Sequence, residues 1–130
     1  MSMTISFQHI NLDYLDTMSG GDTDTMQQML EMLIEEIPTE ITKMQDAVVS
    51  EDWEEVFQIS HKLKTTLAFI GNEKMTTINQ KIEHGTRPLA NPKDVDREAL
   101  MAVLKDIPSK VQELTDLSNS VMGELNTVKF

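Results

Sequence analysis

The sequence predicts an all-α fold: an up-and-down antiparallel four-helix bundle with a short extra helix at the N-terminus. Four segments place apolar residues at steps of three and four, the spacing of one helix face, while alternating strand patterns are nearly missing. The links between these segments are few and mostly short, so each helix must fold back on a neighbour to cover its apolar stripe. A chain of 130 residues is long enough for one real core, and residues 1–130 are expected to form a single domain.

Leu12, Leu15 and Met18 suggest a short helix lidding one end of the bundle. The first long helix spans about residues 22–49, with Met26, Leu30, Leu33, Ile37, Ile41, Met44 and Val48 on one face. Gly20 and Gly21 precede it, and Asp22 or Thr23 can cap its free amides. Pro38 lacks the N–H that the Ile34 carbonyl would accept, which predicts a kink. The second helix covers about residues 51–70, with Asp52 and Glu55 spaced as a capping-box variant and Gly71 as the left-handed residue that ends it. The third starts at Asn72 and carries Met75, Ile78 and Ile82. Residues 85–92 form the one clear loop. Asn91 or Asp94 can cap the fourth helix, with Pro92 in its first turn. That helix shows Leu100, Leu104, Ile107, Val111, Leu114, Val121 and Leu125 near a heptad seam, bent at Pro108. The ten methionines fall mostly at core spacing (Met26, Met29, Met32, Met44, Met75), which favours adaptable filler over a metal or cofactor site.

A net charge of −11 argues against nucleic acid, whose phosphates require a positive stripe. The charge is unevenly spread. Between Gln58 and Ile82 stand Lys62, Lys64, Lys74 and Lys81 against Glu73 alone, a local +3, so the remainder carries −14. No apolar run approaches the roughly 20 residues of a membrane span. The N-terminus has no basic region followed by an apolar core, and cysteine is absent, so a cytoplasmic protein without disulfides or thiolate metal sites is expected.

His61 sits inside the positive island. On a helical wheel of about 100° per residue, Val56, Ile59, Leu63, Leu67 and Ile70 gather roughly 160–240° away from it. Gln58, Thr65 and Ala68 lie within about 60° of the histidine, Lys64 about 60° to the other side, and Phe57 about 40° away. A packing histidine would sit among the apolar residues; this one faces water on a helix surface. Phe57 reads either as an exposed apolar anchor for a partner or as an aromatic half-buried against the neighbouring helix.

Several chemistries fail on spacing. No Glu-x-x-His pair exists for a di-iron site: the residues three before His9, His61 and His84 are Ser6, Gln58 and Lys81. The Asp22-x-Asp24 and Asp94-x-Asp96 pairs lack the glycine and glutamate of a calcium loop. No Gly-rich phosphate loop or Gly-x-Ser-x-Gly elbow is present. An exposed imidazole needs no partner base to act as a nucleophile, because its ordinary pKa of about 6.5 leaves most of it neutral near pH 7. A lysine one turn away can offset the charge of a transferred phosphoryl group.

His61-Lys62-Leu63-Lys64, a mostly small and apolar stretch, and Gly71 resemble the signature of the histidine-containing phosphotransfer (HPt) domain: His, any residue, Leu, Lys, Gly, small residues, then Gly. The Gly20-Gly21-Asp22 entry to the first long helix, the Asp52 turn and Ile82-Glu83 also fit, so the resemblance covers about residues 12–125. Two positions depart from it: Thr65 stands where the family commonly has glycine, and Ser60 where it commonly has alanine. The resemblance implies a phosphorelay carrier without autokinase activity. His61 would accept a phosphoryl group from a receiver-domain aspartyl phosphate and pass it to another receiver. Lys64 would stabilise charge, and Phe57, Gln58, Thr65 and Ala68 would shape the contact. Partners implied are response-regulator receivers or a hybrid sensor histidine kinase, with no cofactor on this chain and magnesium only in the receiver. A monomer is the simpler expectation. A non-catalytic receiver-docking module and a structural acidic bundle remain as alternatives.

Overall fold

The computed structural model describes residues 7–90 and 97–128. It contains helices α1 (Asp13–Met18), α2 (Thr23–Val49), α3 (Trp53–Ala68), α4 (Glu73–Thr86) and α5 (Arg97–Leu125), with a 3-10 turn at Arg87–Ala90. There is no strand among the described residues. The four long helices pack α2 on α3, α3 on α4, α4 on α5 and α5 back on α2. The enclosed core includes Leu33, Ile37 and Met44 of α2, Val56, Leu63 and Leu67 of α3, Met75 and Ile82 of α4, and Leu114, Val121 and Leu125 of α5.

The caps decide where the helices begin. Asp22 accepts the Thr25 amide, Asp52 the Glu55 amide and Asn72 the Met75 amide, each satisfying a donor that a helix N-terminus leaves free. At Asp52 only half of the expected box forms, because the Asp52 amide donates instead to the Ala47 carbonyl, closing the end of α2. That tight turn holds Glu51 at a φ of 56°, the left-handed region. Pro38 lies inside α2 and Pro108 inside α5, and each helix continues past its proline.

Three expectations need correction. Gly85 and Thr86 complete α4 and Arg87–Ala90 coil into the 3-10 turn, whose Leu89 is buried, so most of the expected loop is helical. Asn91, Pro92 and Asp94 lie outside the described residues. Leu104 is exposed and Leu100 only partly covered, whereas Val103 is buried. The α5 seam runs Val103, Ile107, Val111, Leu114, Ser118, Val121, Leu125, and the buried Ser118 hides its regularity from a search for apolar residues. Met18 and Met32 also point outward; α1 buries only Leu15, with Leu12 at its cap.

A strap of residues 9–11 ties the ends together. The Asn11 amide donates to the Ile70 carbonyl at 2.7 Å, Asn72 Nδ2 to the His9 carbonyl at 2.8 Å, and the His9 amide to Glu124 Oε1 at 3.0 Å. Gly71 lets the strap in: its φ is +68°, and a Cβ there would stand 2.6 Å from the Asn11 carbonyl oxygen. Gly20 has nearly the same φ, +66°, but open space around it. Gly20→Ala should therefore cost only the left-handed penalty, about 1–2 kcal/mol. Gly71→Ala should cost measurably more in urea unfolding, since the backbone must also move; equal losses would show that the strap's close approach contributes nothing.

Candidate functional site

The α3 helix has its apolar stripe locked inward, with Val56, Ile59, Leu63 and Leu67 all buried, and this turns His61 outward. Its imidazole is 62 % exposed. Gln58, Lys64, Thr65 and Ala68 lie on the same side, as the wheel predicts; Lys64, Thr65 and Ala68 are exposed and Gln58 is exposed beside them. Phe57 is half-buried and its ring stacks on that of His61, with centroids 6.0 Å apart and planes at 19°. The half-burial agrees with the second of the two readings, and the ring also forms a wall against one side of the imidazole.

Behind the histidine lies a group to which the sequence assigns no role. Glu83 of α4 is buried, 4 % exposed, and its Oε1 lies 3.5 Å from His61 Nδ1. Arg87 Nη2 donates to the same oxygen at 2.9 Å. Burial alone would raise the Glu83 pKa, but the hydrogen bonds from Arg87 and His61 and the charge of Lys64 prevail and hold it below its ordinary value of 4.5. Glu83 is therefore an ionised carboxylate at neutral pH, an acceptor only. Its neighbourhood favours the imidazole tautomer with hydrogen on Nδ1, which leaves the Nε2 lone pair for chemistry. Glu83 and Arg87 are four residues apart, an ordinary helical pairing, but the pair is concealed in the sequence because residues 85–92 read as a loop.

The two lysines next to His61 part company. Lys62 reaches back to α2, where Nζ is 3.1 Å from Oε1 of the buried Glu40 and 4.0 Å from Glu36. Lys64 makes no salt bridge among the described residues and acts on Glu83 through space. Ser60, directly before the histidine, is fully buried and bonded to α4: its hydroxyl is 2.8 Å from Asn79 Oδ1 and 3.0 Å from the Asn79 carbonyl, and Asn79 Nδ2 donates to the Ser60 carbonyl at 3.0 Å. Among the described residues no group of three or more His, Asp or Glu is arranged to hold a metal ion, and no helix is long and apolar enough to cross a membrane.

The Hpt domain profile matches residues 28–118, and the chain belongs to this family. It is similar to the signal transduction histidine-protein kinase BarA of Escherichia coli, strains K12 and O157:H7, with 26 % identity over 99 residues, and to that of Shigella flexneri, with 25 %. The matched region is 76 % of this chain but 11 % of the K12 kinase, so the chain spans about a tenth of the length of these relatives. No solved structure matches at a comparable level of significance.

Because the Glu83 pKa is lowered on folding, its contribution to stability is present above the unfolded value of about 4.5 and is lost as pH falls through the lower folded value. Glu83→Gln should cost about 1 kcal/mol in urea unfolding at pH 7, by weakening charge-assisted hydrogen bonds. The difference from the unsubstituted protein should shrink as pH is taken well below 4.5. A gap that persists undiminished in acid would mean that shape, not charge, makes Glu83 matter.

Proposed function

We propose that this chain is a phosphoryl carrier of a multistep phosphorelay, built as an up-and-down antiparallel four-helix bundle with α1 across one end, and that His61 is its acceptor. The observation that carries the reading is a solvent-facing imidazole whose Nδ1 is occupied by a buried, ionised carboxylate. Nε2 of neutral His61 attacks the phosphorus of a receiver's aspartyl phosphate. The N–P bond forms as the acyl O–P bond breaks, and the receiver recovers its carboxylate. The ring then carries positive charge shared with Nδ1–H, which Glu83 offsets from behind, and Lys64 offsets the charge of the phosphoryl oxygens on the solvent side. Transfer to a second receiver reverses these events. Gln58, Thr65 and Ala68 form the contact surface, with Thr65 rather than glycine narrowing the approach. Magnesium belongs to the receiver, and the partners are receiver domains, either free or within a hybrid histidine kinase. The family assignment and the likeness to a segment of a signal transduction histidine-protein kinase support a phosphorelay role.

The direct experiment is incubation with a phosphorylated receiver, followed by assay for acid-labile, base-stable phosphate on this chain. His61→Gln should abolish labelling while shifting stability by no more than about 0.5 kcal/mol, as expected of an exposed position. Labelling that survives at His9 or His84 would assign the wrong histidine, and binding without labelling in the unsubstituted protein would establish the docking-only alternative.

The lysines provide a second test with opposite readouts. Lys64→Ala should slow transfer and shorten the phosphohistidine lifetime with little change in stability. Lys62→Ala removes an ion pair to the buried Glu40; with the lysine itself largely exposed, the loss should be about 0.5–1 kcal/mol of stability, with transfer much less affected. Equal effects of the two on transfer would point to a diffuse field instead of a localised charge.

A further inference from the structure

Between α4 and α5 lies an open groove of about 720 Å³. Ala102, Val103 and Ile107 of α5, with Gly85 and Pro88, make its apolar floor. Gly85 keeps the floor closed, since a Cβ there would stand 3.0 Å from Ile107 Cδ1. The rim is cationic: Lys64, Lys81, Arg87 and Lys110 face two carboxylates, Glu83 and Asp106. The four cations less the two acids leave a formal +2, in a chain whose net charge is −11. Glu83 is buried and already engaged by Arg87, while Lys64, Lys81 and Lys110 make no salt bridge among the described residues. In a protein with 22 acids and 11 lysines and arginines, three lysines without such a partner around one apolar floor are an arrangement that attracts anions.

We propose that this groove binds a small organic dianion, a phosphate monoester carried on an apolar body. The volume lies in the range of small-ligand sites, which combine an apolar lining with a few convergent polar groups. The charge complementarity selects a dianion, and the floor selects the apolar body. Lys64 stands at the edge shared with the His61 surface, so occupancy would compete for its charge. The binding claim itself is independent of phosphotransfer and is read without it.

The probe is phenyl phosphate, titrated into the isotopically labelled full chain and followed by amide NMR shifts. Saturable shifts at Gly85, Ala102, Val103 and Ile107 are expected, with inorganic phosphate and benzyl alcohol each at least ten-fold weaker. The double substitution Lys81→Ala with Lys110→Ala should weaken phenyl phosphate at least ten-fold, and its spectrum reports directly that the variant is folded; a single Lys110→Gln provides the same comparison should the double variant unfold. Non-saturating shifts, equal binding of inorganic phosphate, or an unchanged affinity in the variants would overturn the proposal. So would tighter saturation of the same residues by an acidic peptide, which would make the groove a protein-docking surface.

Discussion

The inward stripe of α3 is the constraint from which the site follows. Val56, Ile59, Leu63 and Leu67 are buried because α3 is packed by α2, by α4 and by the 3-10 turn, leaving one side of the helix free. Helical geometry then dictates the rest: whatever stands half a turn from that stripe must face water, and His61 stands there. Any rotation of α3 that hid the imidazole would lift Leu63 or Leu67 out of the core, at a cost of about 1.5–3 kcal/mol for each side chain exposed. The exposure of the histidine is therefore maintained by packing on the opposite side of the helix.

Electrostatics refine what packing presents. Three cations stand near the imidazole, and each has a different occupation. Lys62 is held by Glu40 on one neighbouring helix, Arg87 by Glu83 on the other, and Lys64 has no salt bridge among the described residues. The uncommitted positive charge thus lies on the solvent side of the ring, while the fixed negative charge sits behind it. This division leaves one cation beside the ring uncommitted in a chain whose net charge is −11.

How much of this is legible in the sequence follows from what each residue must satisfy. The helices, their caps at Asp22, Asp52 and Asn72, and the outward histidine depend on local spacing, which a single chain displays. Glu83 and Arg87 do not emerge as a pair, because Gly85 and Pro88 read as loop punctuation whereas packing against Ile107 continues the helix through Thr86. The α5 register misleads at Leu104, because a leucine beside a valine looks the more buried of the two. The seam is set by the angular position of Ile107 and Val111, and Val103 shares it. Ser60 stands out only as a departure from the family, since its purpose lies in Asn79, nineteen residues away.

That serine has a further consequence. The three contacts between Ser60 and Asn79 are directional and enclosed, unlike the apolar contacts around them, which tolerate sliding. Moving α3 along α4 by one turn, about 5.4 Å, would separate both side chains from these enclosed hydrogen bonds and strand polar groups in the core. The pair works as an axial detent, one residue from His61. Thermal sliding of the two helices, the motion that would most directly separate His61 from Glu83, is resisted at the position where a displacement would matter most.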